Sequence, residues 1–246
     1  MSGKQGPTLR AQWLGKQLRD LREAAGLTLR DAGEHILRDA STISRMEAGF
    51  VPARVPDVLE LLNLFRVSDQ VVRSALEQLS RDIWRKGWWD GYTGWIPGKI
   101  IDLAWLESRA EKFRDFSALV LHGLLQTPEY AKAVMWAADK DVNEGDLELW
   151  IEFRMRRREI FDRGNPPEYT SIIDEGALRR QVGGPEVMRA QLAYLLELAE
   201  HPSLTLNVLP FTAGAPASPE GAFTYLTMAE PFSDVVQINT EGGAIY

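Results

Sequence analysis

The stretch Leu27–Gly49, LTLRDAGEHILRDASTISRMEAG, restricts the possible folds more than any other part of the chain. It predicts two short helices joined by a tight turn, with Ile36 and Ile43 on their buried sides. Thr28 and Asp39 each precede one of these helices, and their side chains can accept hydrogen bonds from its free amides. The amino-terminal part of the chain should therefore fold as a small helical bundle around this helix pair.

The first turn of the second helix carries small or polar side chains at Ala40, Ser41 and Thr42. In a helix-turn-helix, this turn lies against base edges in the major groove, and such side chains permit a close approach. The alternative is a helical hairpin that binds no ligand. We expect the DNA-binding residues to be Thr28, Arg30, Arg38, Ala40, Ser41, Thr42, Arg45 and Arg54.

Spaced residues in this stretch resemble the Xre class of helix-turn-helix domains, namely Gly26-Leu27-Thr28 and Ser41-x-Ile43-Ser44-Arg45-x-Glu47-x-Gly49. The resemblance implies a five-helix bundle in which Ser41, Thr42 and Arg45 face DNA. It also implies that Glu47 and Gly49 shape the end of the recognition helix. Leu29 departs from the class, which usually has a phosphate-binding glutamine there, and Arg30 is the expected substitute.

The length of 246 residues and the hydrophobic content of 45% suit two domains, each with its own core. We expect a helix-turn-helix domain at residues 1–80, an aromatic-rich connector at 81–110 and an effector and dimerisation domain at 111–246. The fold class is then mainly α with a smaller α/β part. Cysteine is absent, which excludes disulfides and thiolate metal sites.

Charge is unevenly distributed along the chain. The net charge is −7 and the pI is about 5.2, which disfavours nonspecific coating of nucleic acid. Residues 1–80 nevertheless hold 11 lysines and arginines against 10 acidic residues. Since the chain also lacks a membrane-length apolar run and an apolar secretion signal in MSGKQGPTLR, we expect a soluble cytoplasmic protein that binds a specific DNA sequence.

Between residues 81 and 97 the sequence becomes rich in aromatic residues and glycine. Trp84, Trp88, Trp89 and Trp95 are the residues expected to contact a partner or effector. Aromatic side chains bury large areas at low entropic cost, so such density favours a protein interface or a seam between domains. A pocket for a small effector is the alternative.

The second half predicts mixed secondary structure. The pattern from Leu103 to Phe116 indicates a helix, whereas Glu168–Ile173 and Leu204–Val208 indicate strands on either side of a helix at Pro185–Glu200. A strand, a crossover helix and a second strand imply parallel pairing. Two further strands are predicted, at Phe223–Met228 and Asp234–Ile238.

Residues with catalytic potential are present but do not form a recognisable motif. Asp174 and Glu175 are adjacent at a strand end and should point in opposite directions. The three histidines, His35, His122 and His201, show no metal-ligand spacing. A solvated helix face is expected for Arg154, Arg156, Arg157 and Arg158, with an acidic partner or phosphate as the alternative. We therefore expect no enzyme activity, no metal site and no cofactor.

Several strings in the second half resemble the WhiJ-like regulators of filamentous actinobacteria. They are GLLQTPEYA from Gly123, Asp174-Glu175-x-Ala177-Leu178-Arg179-Arg180, Val182-Gly183-Gly184 and Val208-Leu209-Pro210-Phe211-x-x-Gly214. His122 departs from the family, which usually has proline there. The resemblance implies an antitoxin-like repressor and autoregulator that contacts a small partner protein encoded nearby. Because one recognition helix covers only a few base pairs, we also expect a homodimer on a palindromic operator. The alternatives are a regulator with a small-molecule effector and an enzyme tethered to DNA.

Overall fold

The computed structural model of the protein describes residues 6–85, 87–240 and 243–245. The chain divides into two compact units, Met1–Asp102 and Leu103–Tyr246. The domain limits expected from the sequence, at residues 80 and 110, remain predictions. Residues 1–5, which form half of the segment searched for a secretion signal, lie outside the described part of the chain.

The first unit begins with five α-helices. They are α1 (Leu9–Ala24), α2 (Leu29–His35), α3 (Ala40–Glu47), α4 (Val55–Leu64) and α5 (Gln70–Trp84). Helix α1 contacts α3, α4 and α5, while α2 contacts α3 and α4. The five helices that the Xre resemblance implies are thus present, and α2 and α3 form the predicted helix pair.

Helix α1 turns one side toward the bundle. Leu14 and Leu18 are buried, as their spacing predicts. The same helical spacing continues to Leu21 and Ala25 and predicts them on this side, but neither is buried. Arg22 occupies the buried position one turn after Leu18, because its guanidinium has a carboxylate partner inside the bundle.

The remainder of the first unit contains a short 3-10 helix at Trp88–Tyr92 and the beginning of α6 (Gly98–Arg109). The aromatic segment therefore belongs to the first unit. The division between the units falls within α6.

The second unit is an α/β structure. Its further helices are α7 (Pro128–Ala138), α8 (Glu144–Arg157), α9 (Glu175–Arg179) and α10 (Pro185–Ala199). Its strands are β1 (Ala110–Ser117), β2 (Glu168–Asp174), β3 (Leu204–Leu209), β4 (Phe223–Met228), β5 (Val235–Thr240) and β6 (Gly243–Ile245). A helical bundle followed by helices with a mixed sheet confirms the predicted fold class.

The six strands form one sheet in the order β3-β2-β1-β4-β5-β6. Strands β1, β2 and β3 pair in parallel, and β4, β5 and β6 continue the sheet through antiparallel pairs. Parallel pairing of β2 and β3 around α10 confirms the prediction from their crossover. Helix α10 contacts both α7 and β3.

The two faces of the sheet differ. On the core face, Phe113, Tyr169 and Leu226 occupy facing positions on β1, β2 and β4 and are buried. On the other face, here named the outer face, four apolar residues form one cross-strand row. These are Ile172, Phe116, Phe223 and Ile238, in the order of β2, β1, β4 and β5.

The helix predicted from Leu103 to Phe116 is correct only in its first part. Helix α6 ends at Arg109, and Ala110–Ser117 is strand β1 in the middle of the sheet. Pairing with β2 and β4 explains the difference, since a strand with neighbours on both sides satisfies its backbone groups without a helix. No described helix is long and apolar enough to cross a membrane.

Candidate functional site

Both helices of the pair begin at capped ends. The Thr28 hydroxyl accepts a hydrogen bond from the Asp31 amide at 3.1 Å, and the Asp31 carboxylate accepts one from the Thr28 amide at 2.8 Å. The Asp39 carboxylate accepts a hydrogen bond from the Thr42 amide at 2.7 Å. The two predicted helix caps are thus confirmed, and they fix where the first turn of α3 begins.

Asp39 also holds the two hydroxyl groups of that turn. Ser41 Oγ donates to Asp39 Oδ1 at 2.5 Å, and Thr42 Oγ1 donates to Asp39 Oδ2 at 2.9 Å. Hydrogen bonds from Ser41 and Thr42 hold the pKa of the Asp39 carboxyl far below its usual range. Because both hydroxyl hydrogens point at Asp39, the two oxygens offer only lone pairs to other groups.

Helix α3 is fixed from behind by α1. Arg22 Nε donates to Glu47 Oε1 at 2.6 Å, and Arg22 Nη2 donates to Glu47 Oε2 at 2.9 Å, with both side chains buried. A Cβ atom added at Gly15 would lie 2.4 Å from the Met46 carbonyl oxygen, so the two helix backbones touch there. Arg22 and Gly15 were not identified from the sequence, since their partners lie more than 20 residues away.

The arginines expected at DNA differ in their surroundings. Arg30 donates to Glu34 at 2.7 Å within α2. Arg38 lies 3.8 Å from Asp57 in the first turn of α4, which links the turn before α3 to that helix. Arg45 is exposed on α3. Each of these side chains reaches solvent, and their contacts with DNA remain predictions.

The fourth expected arginine, Arg54, precedes α4 and lies against Trp84 at the end of α5. Its guanidinium carbon is 5.2 Å from the centre of the Trp84 ring. The Trp84 indole donates to the Ala53 carbonyl oxygen at 3.3 Å. Trp84 is therefore held beside the loop between α3 and α4, although 53% of its surface is exposed.

The other tryptophans have different environments. Trp88 packs edge to face on Trp89, with ring centres 5.7 Å apart, and also on Tyr92 at 6.0 Å. Trp88 and Trp89 are half-buried, whereas Trp95 is 66% exposed. A role in contacting a partner or effector remains a prediction for all four tryptophans.

The second unit contains a buried ion pair that the sequence did not reveal. Arg157 Nε donates to Glu107 Oε2 at 2.8 Å, and Arg157 Nη2 donates to Glu107 Oε1 at 2.5 Å. Arg154 donates to the Gln126 side chain at 2.6 Å, and Arg158 donates to its backbone carbonyl at 3.1 Å. The predicted solvated arginine face is therefore wrong, because three of these arginines turn toward buried polar partners.

His122 lies in the same polar region. Its Nδ1 atom is 3.0 Å from the Tyr169 hydroxyl, which also bonds the buried Asp115 carboxylate. Burial, followed by the charges of Arg157 and Arg154, lowers the pKa of His122 to about 3. His122 is therefore packed among polar groups of the second unit.

Asp115 lies on the core face of the central strand β1. Ser117 Oγ donates to its second carboxylate oxygen at 2.8 Å, and the His122 amide donates to Ser117 Oγ at 3.0 Å. Burial raises the pKa of Asp115 to about 6. The hydrogen bonds that Asp115 accepts from Tyr169 and Ser117 oppose this rise. The cluster of Asp115, Tyr169, Ser117 and His122 is thus an internally satisfied polar network.

The two carboxylates at the end of β2, Asp174 and Glu175, bond nearby backbone amides and an arginine side chain. Asp174 accepts a hydrogen bond from the Gly176 amide at 2.7 Å and so caps α9. Glu175 accepts one from the Phe211 amide at 2.7 Å and pairs with Arg179 at 2.6 Å. Within the described residues, no three histidine, aspartate or glutamate side chains are placed to hold a metal ion.

A five-helix bundle with a capped and exposed recognition helix defines a helix-turn-helix protein. Residues 13–76 match a family described as a helix-turn-helix domain. Residues 100–246, more than half of the chain, match a family described as a domain of unknown function, DUF5753, and the chain belongs to this family. Comparisons with curated proteins and with solved structures gave no match.

Proposed function

We propose that the protein is a sequence-specific transcriptional regulator that reads its operator with the first turn of α3. The arrangement at Asp39 carries this proposal. It fixes the Ser41 and Thr42 oxygens as hydrogen-bond acceptors at an exposed helix start, beside the small side chain of Ala40. Acceptors of this kind can bond the amino groups of adenine or cytosine in the major groove.

The proposal further assigns the protein to regulators of the WhiJ-like type, which act as repressors and autoregulators. Such a regulator binds a palindromic operator as a homodimer. Its second unit supplies the dimer contacts and a surface for a small partner protein encoded nearby. The order of the resembling strings supports this assignment.

Selection from random duplex DNA tests the proposal. We expect the full-length protein to enrich one sequence with two inverted half-sites, and mapping of bound sites in the native host to recover that sequence near its own gene. Enrichment of no sequence above the background of an unrelated acidic protein would contradict the proposal.

The proposed partner requires a separate experiment. Purification of the tagged protein from its native host should recover a small protein in stoichiometric amount. Recovery of a bound metabolite without a small protein would instead favour the small-molecule effector.

A further inference from the structure

A groove with a basic lining opens on the first unit between the start of α4 and the end of α5. Its volume is about 620 Å³, and it is lined by Arg54, Val55, Gln78, Arg81, Trp84 and Arg85. We propose that this groove binds phosphate groups of the DNA backbone that flanks the sequence read by α3. The inference rests on the proposed DNA-binding function and adds to it a second contact surface.

The charge of the lining favours an anionic occupant. Three of its six residues are arginines, whose planar guanidinium groups suit phosphate recognition. Arg81 also pairs with Glu77 one turn earlier on α5, while Arg54 lies over the Trp84 ring at 5.2 Å. These contacts hold two of the guanidinium groups near the groove while leaving Arg54 and Arg81 exposed.

The position of the groove connects it with the recognition helix. Arg38 directly precedes the Asp39 cap of α3 and lies 3.8 Å from Asp57, in the first turn of α4. Ser80 on α5 donates to the Ala53 carbonyl oxygen at 2.9 Å. Contacts therefore join the start of α3, the first turn of α4 and the end of α5, so that DNA bound at α3 passes near the groove.

The shape of the groove favours a DNA strand over a small effector. Pockets for small molecules enclose most of the surface of their ligand, whereas this groove is largely open to solvent. The exposed Trp84 ring adds an apolar surface beside the charges. An extended polyanion with sugar groups between its charges matches this combination.

The test compares DNA binding by two variants of the full-length protein. Arg81→Gln/Arg85→Gln removes two charges of the groove. Arg66→Gln is the matched control, because Arg66 is exposed beyond the far end of α4, about 15 Å from its first turn. Thermal unfolding of both variants, and of Arg85→Gln alone, establishes that they are folded.

Two duplexes of the selected sequence serve as probes, one trimmed to the half-sites and one with flanks of a full helical turn. On the flanked duplex, the double variant should bind roughly tenfold more weakly and lose about 1 to 2 from the slope of log K against log salt. On the trimmed duplex it should bind like the wild type.

Three results separate the possible outcomes. Equal slopes for the double variant and Arg66→Gln, with the wild type still selecting a sequence, would overturn the groove assignment alone. Saturable binding of adenosine monophosphate that is lost in the double variant while the slope is unchanged would overturn it in favour of a small anion. If the wild type selects no sequence, a lower slope for the double variant than for the wild type on a duplex of random sequence would support the groove and contradict sequence-specific regulation.

Discussion

Asp39 does more than cap a helix, because it determines which hydrogen-bonding groups α3 presents at its exposed start. With the Thr42 hydroxyl hydrogen directed at Asp39, Thr42 offers an acceptor oxygen and a methyl group. Thr42→Ala removes both, while the Thr42 amide stays capped. We expect binding preference at one base pair to relax by about 1 to 3 kcal/mol, measured by competition among single-base operator variants.

Two companion variants sharpen this prediction. Thr42→Val keeps the methyl group and should lose preference only if the oxygen reads the base. Arg45→Ala, which removes an exposed charge, should weaken all operator variants alike and lower the salt slope by about 1. An unchanged preference in Thr42→Ala would show that another residue of α3 occupies the reading position.

The ion pair of Arg157 and Glu107 should dominate the response of the second unit to mutation. Arg157→Met leaves the Glu107 carboxylate buried without its partner, which should lower the free energy of unfolding by about 3 to 5 kcal/mol. Urea denaturation followed by circular dichroism measures this loss.

Two further variants distinguish charge from packing at this pair. The double variant Arg157→Met/Glu107→Leu should recover most of the stability, because neither member of the pair is left buried without its partner. Glu148→Gln, at an exposed position of the same helix, should change stability by less than about 0.5 kcal/mol. A double variant as unstable as Arg157→Met would contradict the electrostatic explanation.

Asp115 and His122 should give opposite dependences of stability on pH. Burial raises the pKa of Asp115 from 3.8 to about 6, so its contribution to stability is lost as pH rises through 6. Burial lowers the pKa of His122 from 6.5 to about 3, so its contribution is lost as pH falls below 6.5. The two effects partly cancel between pH 7 and pH 5.

Replacing one of the two groups should leave only the other group's effect on the pH dependence of stability. From pH 7 to pH 5, the free energy of unfolding should rise by about 1 kcal/mol in His122→Gln and fall by about 2 kcal/mol in Asp115→Asn. His35→Gln, in the first unit, is the control and should follow the wild type. Parallel pH profiles for all four proteins would show that neither burial effect operates.

Among the larger elements, the outer face of the sheet is where we expect the second copy of the chain to bind. The row of Ile172, Phe116, Phe223 and Ile238 crosses four strands, and Val236 lies beside it on β5. A regulator that reads two half-sites needs such a self-associating surface, and an apolar row on a sheet face can provide it.

A pair of identical substitutions tests this surface. Val236→Glu places a charge on the outer face, where Val236 is 43% exposed, and should weaken dimerisation at least roughly tenfold in sedimentation experiments. Val208→Glu makes the same change at a residue that is 52% exposed on β3, at a position facing the core side. Equal effects of the two substitutions would place the dimer contacts elsewhere.

The sequence predicted those elements whose signals are local. Thr28 and Asp39 each cap a helix within three residues, and β2, α10 and β3 follow from their own periodicity. Strand β1 was wrongly predicted as the end of a helix. It follows α6 without an intervening glycine or proline, and its core face carries Asp115, which breaks the apolar alternation.

The candidate sites also differ in whether their residues are close together in the sequence. The reading positions of α3 follow from a continuous motif, whereas the groove joins Arg54 to Arg81 and Arg85 across the bundle. The Arg157 side chain pairs with Glu107, which lies 50 residues earlier in the sequence. Periodicity describes which side of a helix is apolar, and it carries no information about a charged partner elsewhere in the chain.

At the scale of the whole molecule, one copy of α3 covers only a few base pairs, so we expect two copies on an operator with half-sites about 34 Å apart or a multiple of that distance. Deleting one half-site should lower the affinity of the full-length protein by at least about 100-fold, measured by fluorescence anisotropy. Insertion of five base pairs between the half-sites, which turns them to opposite sides of the duplex, should have a similar effect. Tight binding to a single half-site would show that a monomer suffices.

The strand order of the sheet also determines when the second unit can form during synthesis. Strand β1 lies between β2 and β4, and β4 begins only at Phe223, more than 100 residues after β1 begins. The five-helix bundle depends on contacts close in sequence and is complete by Trp84, so it can fold on the ribosome first. Until Phe223–Met228 emerges, β1 remains an unpaired sheet edge. A nascent chain halted before that point would therefore carry a folded helix-turn-helix bundle joined to an aggregation-prone segment, which makes it a substrate for chaperones.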